Sequence, residues 1–402
     1  MSAPAARSEA LTIPAPVDPP RVTLLGPGPS ETPPEILAAL AKPTLGHLDP
    51  RFLAIMDQIS EMLRTAFGTQ NRTTLPISGT GSAGMETCVM NLVEPGDAVL
   101  VGVNGVFGGR LCEVASRAGG EVTRVEAPWG QALSPSDFTK AAAGRKFKVL
   151  CVVHAETSTG VLQDLSGFRE VADALGAFLL VDTVTSLGGV AIELDRFGVD
   201  AAYSGTQKCL SCPPGLAPVS FSDRAVAQIH ARTSPVRSWY MDIGQLTRYW
   251  GGERAYHHTA PINMLYGLHE ALRLALVEGL PARFARHRLH AGALAAGLGA
   301  MGLSLPVPEA VRLPPLTLVR VGEGIDEAAV RRRMLQEHAT EIGGGLGDFK
   351  GKAWRIGLMG ASSSRRHVEG CLAALTESLS ALGNPAAGDG VGAAQAFYTD
   401  NA

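Results

Sequence analysis

Between residues 72 and 221, short apolar runs alternate with amphipathic stretches of about ten to fifteen residues, the order expected of βαβ units in a parallel sheet. The runs 97-DAVLVGV-103, 121-EVTRV-125, 147-FKVLCVVH-154, 177-AFLLVD-182, 199-VDAAYS-204 and 216-LAPVSF-221 predict strands, and a further possible strand precedes residue 78. Those beginning at 147 and 177 are almost wholly apolar, the pattern of strands covered on both faces. The periodicity predicts helices at 84–93, 108–118, 166–175 and 222–232 between them. The fold class is α/β, with a mostly parallel, doubly wound sheet.

Beyond this region two long helices, 261–278 and 281–302, lead into a smaller set of elements: strand 315-PLTLVRV-321, helix 326–339, strand 353-AWRIGL-358 and helix 364–382. A chain of 402 residues usually divides its core. The expected plan is a disordered lead over 1–20, a large domain over 21–278, a smaller C-terminal α/β domain over 279–383, and a disordered Gly/Ala-rich tail over 384–402. The opening 1-MSAPAARSEALTIPAPVDPP-20 lacks the uninterrupted apolar core of a secretory signal.

Charge narrows the partners. The 35 basic and 38 acidic side chains nearly balance, and no extended Lys/Arg run offers a track for nucleic acid or an anionic membrane. The apolar runs are too short to span a bilayer, so a soluble, cytoplasmic protein is expected. Six scattered cysteines read as reduced thiols rather than a disulfide framework. Cys209 and Cys212 form a lone CxxC with no second pair to complete a zinc site, so no metal is expected.

The segment 78-SGTGSAGME-86 joins the possible strand to a helix, and backbone N–H groups at such a helix start suit a phosphate. Gly79, Gly81 and Gly84 also satisfy GxGxxG, which admits an NAD-binding dehydrogenase as a rival of a different class. The acid that would bind ribose should end the next strand, yet Asp97 begins it and the end reads 101-VGVNG-105.

A fuller signal comes from 182-DTVTSLGG-189 followed by 203-YSGTQKCLSCPPG-215. Asp182, at the end of a buried strand, is placed to keep a pyridine nitrogen protonated, and the protonated ring is an electron sink for a carbanion at a substrate α-carbon. Lys208 follows a strand among short side chains, where a partly desolvated amine can form a Schiff base and shuttle a proton. Taken singly, Asp182 is equally a turn residue and Lys208 a solvated charge. The ordered set of Gly loop, strand-end Asp and Ser-Gly-x-x-Lys is what points to pyridoxal 5′-phosphate.

From 24-LLGPGPSETPPEIL-37 to 354-WRIGLMG-360, the chain resembles the class V aminotransferases of pyridoxal-phosphate fold type I. It is close in motif to the alanine–glyoxylate and serine–glyoxylate (serine–pyruvate) enzymes, through SGTQK, 256-YHHTAP-261 and 342-IGGGLG-347. The resemblance implies that Thr80, Gly81, Ser82 and Gln207 bind the cofactor phosphate, that Phe107 stacks on the ring and that Val184 packs on the opposite face. Thr157 would bond the ring's phenolic oxygen, Asp182 the ring nitrogen, and Lys208 would carry the cofactor. It further implies that Arg355 clamps the substrate carboxylate beside Gly26 and Gly28, and that Tyr256 and Thr259 reach the phosphate of a partner subunit in a homodimer with shared sites. The animal alanine–glyoxylate enzymes carry His where this chain has Ser82 and Trp where it has Phe107. His257 and His258, with no metal set around them, read as structural.

The implied activity is transfer of an amino group from a small amino acid, alanine or serine, to glyoxylate or a similar small 2-oxo acid. Aspartate–glyoxylate or aminoethylphosphonate transaminases and lyases share the architecture and remain alternatives. A desulfurase would need a mobile nucleophilic Cys in the C-terminal domain, whereas Cys371 falls on a late helix.

Overall fold

The apolar runs become the interior of a seven-stranded sheet in the computed structural model, which describes residues 13–401. Residues 1–12 of the expected lead lie outside the described residues; 13–20 carry no helix or strand, and Ile13 and Val17 face solvent. In chain order the strands are β1 (Thr23–Leu25), β2 (Thr73–Ser78), β3 (Ala98–Val103), β4 (Glu121–Glu126) and β5 (Val149–Val153). Two short strands, β6 (Ala155–Glu156) and β7 (Val161–Leu162), form a hairpin, and β8 (Phe178–Asp182), β9 (Ala201–Tyr203) and β10 (Leu216–Phe221) follow. The last three are β11 (Leu316–Arg320), β12 (Thr340–Gly344) and β13 (Ala353–Gly357).

The large sheet runs β2-β10-β9-β8-β5-β3-β4. Neighbours from β4 to β9 are parallel, while β10 is antiparallel to both β9 and β2. Every residue of β5, β8 and β10 is buried, whereas β4 at the edge is mostly wet and carries Glu121, Arg124 and Glu126. Parallel strands direct their C-terminal ends to one rim, where the open α/β sheet leaves a crevice for a ligand. Asn104, His154, Asp182 and Ser204 follow or end β3, β5, β8 and β9 on that rim.

The structure contains helices beyond those expected. Pro50–Phe67 is capped by the Asp49 carboxylate, which accepts from the Arg51 N–H, and ends at Gly68 in the left-handed region with φ 64°. It buries Phe52, Met56, Ile59 and Leu63 on one face. Pro135–Ala142 begins with a reciprocal capping box between Ser134 and Asp137.

Buried apolar side chains form one large cluster drawn from Ile36 to Leu272, and a second from Leu25 together with residues Ala293 to Tyr398. The second surrounds a sheet ordered β1-β12-β13-β11. β1 therefore pairs with β12 in the smaller sheet, although the sequence plan grouped residues 21–25 with the larger unit. The pairing turns Leu25 onto the same core as Ile342, Trp354 and Ile356.

The tail also differs from expectation: Gly390–Asp400 is a helix, capped by Asp389, with Ala394 and Tyr398 buried. Its low apolar content misled because small residues permit close packing. A Cβ on Gly297 would lie 2.7 Å from the Gly390 carbonyl oxygen, so only glycine lets the two backbones approach there. Tyr398 Oη and His290 Nδ1 complete the contact at 2.7 Å.

Among the described residues no helix is long and apolar enough to cross a membrane. No group of three or more His, Cys, Asp or Glu there could hold a metal ion, and all six cysteines are buried thiols.

Candidate active site

The loop after β2 turns at Gly79, whose φ of 154° few side-chain-bearing residues adopt, and enters helix Gly81–Leu92 with Thr80 as its N-cap. Thr80 makes no side-chain cap bond, so the first-turn N–H groups point outward from the start of a 12-residue helix. Gly84, one turn on, faces Tyr203 and Ala217, where a Cβ would come within 3.0 Å of the Ala217 methyl and lift the helix from the sheet.

Thr80, Gly81, Ser82 and Gln207 line one end of a cavity of about 220 Å³; Phe107, Thr157, Asp182, Val184 and Lys208 line the rest. The same wall contains Met85, Arg110, Ala155 and Tyr203, which sequence reasoning missed. Larger space, about 560 Å³ between helix Leu280–Ala300, β11 and Phe397, contains none of the expected site residues.

Asp182 ends β8 opposite Tyr203 of β9 in the register. Its Oδ2 accepts from the Tyr203 hydroxyl at 2.6 Å and its Oδ1 from the Val184 N–H at 2.8 Å. Burial pushes its pKa up to about 6, against the opposing pull of those two hydrogen bonds and of the Lys208 charge. At neutral pH it remains chiefly a carboxylate, well placed to stabilise a protonated heterocycle.

Lys208 follows β9 in a turn and is 9% exposed. Burial first, then the positive charge of Arg355, lower its pKa to about 8, so roughly a tenth of the amine is neutral at pH 7. Nζ donates to the Pro27 carbonyl. Gly28 leaves room for this: with φ 110°, a Cβ there would lie 2.5 Å from Nζ. The arm carrying Gly26 and Gly28 is pinned by Ser30, whose hydroxyl donates to the Lys208 carbonyl at 2.7 Å.

Phe107 opens helix Val106–Arg117, and its N–H donates to Glu156 Oε2 at 3.1 Å. Glu156 is fully buried and accepts in addition from the Gly108 N–H and from the Ser158 N–H and hydroxyl. Burial raises its pKa to about 7. Thr157, the next residue, meets Thr185 through their hydroxyls at 3.0 Å. Arg355 on β13 approaches this segment from the smaller sheet, donating from Nε to the Gly344 carbonyl at 2.8 Å and from Nη1 to the Thr157 carbonyl at 3.4 Å. Burial lowers its pKa to about 10, which leaves it fully charged. Arg355 and Gly28 border Lys208 without lining the cavity itself, while Gly26 lies against Glu341 and Gly343 of β12.

Tyr256 and Thr259 are not brought to this cavity. Both are exposed, Tyr256 by 62%, with its ring 5.1 Å from that of His47. Between them His257 stacks on Trp239 at 4.3 Å, and His258 reaches Ser78 Oγ at 3.0 Å.

The donor set suits a phosphorylated pyridine aldehyde. A helix start, a carboxylate, a buried amine and an aromatic ring line one cavity. Gln207 Oε1 is buried without a hydrogen-bond partner among the described residues, and turning the amide over would present its N–H groups beside the helix start to a phosphate. The dinucleotide alternative has less support, since this Gly loop leaves an edge strand rather than the middle of the parallel sheet.

Residues 22–310 match a family model described as Aminotransferase class-V. The (S)-ureidoglycine–glyoxylate transaminase of Bacillus subtilis is 40% identical over 371 residues, covering 88% of this chain and 89% of that protein. The alanine–glyoxylate aminotransferase of Oryctolagus cuniculus is 41% identical, covering 90% of this chain and 93% of its own. The crystal structure of an alanine–glyoxylate aminotransferase from Nostoc sp. superposes with a TM-score of 0.90 at 48% identity, over 92% of this chain and 98% of that one.

Proposed function

The chain belongs to the class V aminotransferases, fold type I enzymes that use pyridoxal 5′-phosphate, and we propose that it moves an amino group from a small amino acid to glyoxylate or a similar small 2-oxo acid. The observation that carries this reading is the shared cavity of Asp182, Lys208 and the helix start at Gly81. Pyridoxal phosphate, when bound, supplies the electron sink that stabilises negative charge at the donor's α-carbon.

The residues would divide the work as follows. Thr80, Gly81, Ser82 and Gln207 hold the phosphate, while Phe107 and Val184 fix the ring plane and Thr157 bonds the phenolic oxygen. Asp182 holds a proton on the ring nitrogen, with Tyr203 sharing its second oxygen. Lys208 would anchor the cofactor's aldehyde and, as a neutral amine, would carry the proton from the donor's α-carbon. Arg355 receives the carboxylate of the donor and, after the keto acid leaves, that of the acceptor. One clamp serving both substrates in turn gives ping-pong kinetics.

Alanine or serine is the proposed donor. The relative named for ureidoglycine is as similar as the one named for alanine, so ureidoglycine joins the candidates. The working unit is a symmetric homodimer in which Tyr256 and Thr259 serve the partner's phosphate. Support comes from the exposed apolar side chains of Leu48, Trp239, Tyr240 and Tyr256, three of which gather on the rings of His47 and His257. A panel of alanine, serine, aspartate and ureidoglycine, paired with glyoxylate or pyruvate, tests the assignment. A donor should discharge the visible absorption of the enzyme and glyoxylate should restore it; an unchanged spectrum with every donor would refute it.

A further inference from the structure

We infer that Arg110 is a cofactor-binding residue that supplies the countercharge for the phosphate, an assignment that rests on the pyridoxal-phosphate reading above. Of the side chains lining the cavity, only Arg110 and Lys208 are cationic, and the Lys208 amine already donates to the Pro27 carbonyl. The phosphate end offers neutral donors from Thr80, Ser82 and Gln207 and one helix start. A helix N-terminus contributes about half a positive charge, whereas a phosphate monoester carries about 1.5 to 2 negative charges at pH 7. The cradle is short of positive charge without a further group.

Arg110 lies one helical turn beyond Phe107, and that spacing places both on one face of helix Val106–Arg117. Its guanidinium sits 4.9 Å from the centroid of the Phe107 ring, and Nη1 donates to Ser82 Oγ at 3.4 Å. The aromatic face thus holds the exposed charge beside the first turn of helix Gly81–Leu92. Among the described residues no carboxylate lies within salt-bridge reach of Arg110, so its charge is not spent elsewhere. It lines the same cavity as Asp182 and Lys208.

The test compares two ligands that differ only in the phosphate. Cofactor-free wild-type protein, Arg110→Gln and Arg110→Lys are titrated with pyridoxal 5′-phosphate and with pyridoxal, following the absorbance of the bound aldehyde, after circular dichroism has shown that all three are folded. Arg110→Gln should weaken pyridoxal 5′-phosphate on the order of tenfold at low salt while leaving pyridoxal unchanged, and Arg110→Lys should recover most of the loss. The difference should shrink as salt rises, because the guanidinium is exposed. Equal weakening of both ligands would overturn the inference, since Arg110 would then act only by supporting Phe107. An unchanged preference for the phosphorylated form would overturn it as well. Wild-type protein that binds neither aldehyde would overturn the cofactor reading and this assignment together.

Discussion

The segment from Asp182 to Lys208 and the segment from Tyr256 to Thr259 are tied by family resemblance to the same cofactor, yet their surroundings differ. In the first, both carboxylate oxygens of Asp182 are engaged by its own chain, and Lys208 is nearly closed off from solvent. In the second, Tyr256 and Thr259 face outward among stacked aromatic rings, away from the cavity. Strand ends in a parallel sheet converge because hydrogen-bond register leaves them no alternative. A surface turn acquires a role only through whatever covers it. The chemical groups are therefore set within one subunit, and in the proposed dimer a second would complete the cradle.

That contrast is broken most severely at Lys208. Lys208→Ala should leave the fold intact and reduce multiple turnover by about four orders of magnitude, because the proton carrier and the anchor are one group. A rate near wild type in steady-state assay would remove Lys208 from its role. Asp182→Asn should retain cofactor yet slow α-proton removal on the order of a hundredfold, read by single-turnover kinetics with deuterated donor. The same substitution tests the cost of burial. Asp182 has a folded-state pKa of about 6 against an ordinary 3.8, so its contribution to stability is complete below pH 3.8 and is lost as the pH rises through 6. Asparagine can still meet both Val184 and Tyr203. Cofactor-free Asp182→Asn should therefore match wild type in urea unfolding near pH 3.8 and exceed it by about 3 kcal/mol above pH 6. Parallel pH profiles for the two proteins would show that the buried charge costs nothing.

Arg355 sharpens the comparison from the smaller sheet. Arg355→Ala should raise KM for donor and acceptor alike, on the order of tenfold to a hundredfold, since both bring a carboxylate to one fork. An effect confined to one substrate would place the clamp elsewhere. The mildest perturbation is also the most informative about Tyr256 and Thr259. A Lys208 variant and a double variant at Tyr256 and Thr259, each inactive alone, are mixed so that their subunits exchange. Every heterodimer then carries one site with both lesions and one with none, and activity should return to about a quarter of wild type at equal mixing. Heterodimers seen by mass spectrometry without activity would show that these residues do not serve the neighbour.

Much of the fold was legible because strands buried on both faces are almost wholly apolar, and β5 and β8 fall within the runs that predicted them. Helix Pro50–Phe67 was equally legible in its Asp49 cap and its spacing of Phe52, Met56, Ile59 and Leu63, and was overlooked. β12 was not legible: Thr340–Gly344 ends in two glycines, and it is a strand only because β1 and β13 flank it. At the site, Asp182 and Lys208 stood out through chain order and chemistry. Tyr203 did not, since its bond to Asp182 depends on which residues of β8 and β9 lie side by side. Arg110 could have been found from its i, i+3 relation to Phe107 once that ring was suspected.

The pairing of β1 with β12 has a consequence for synthesis on the ribosome. The larger core draws on residues up to Leu272 and can close once they have emerged, but the partner of β1 ends at Gly344. At usual elongation rates the N-terminal arm waits on the order of ten seconds beside a core that has already formed, with Leu25 unburied and its backbone unpaired. The Pro27–Ser30 segment that closes over Lys208 is continuous with that arm, yet Ser30 also bonds Gln207 and Lys208 of the larger unit, so the segment is held from both sides. The first strand to be made is among the last to be seated, and a nascent chain stalled before residue 340 would hold β1 without its only strand partner in the smaller sheet among the described residues.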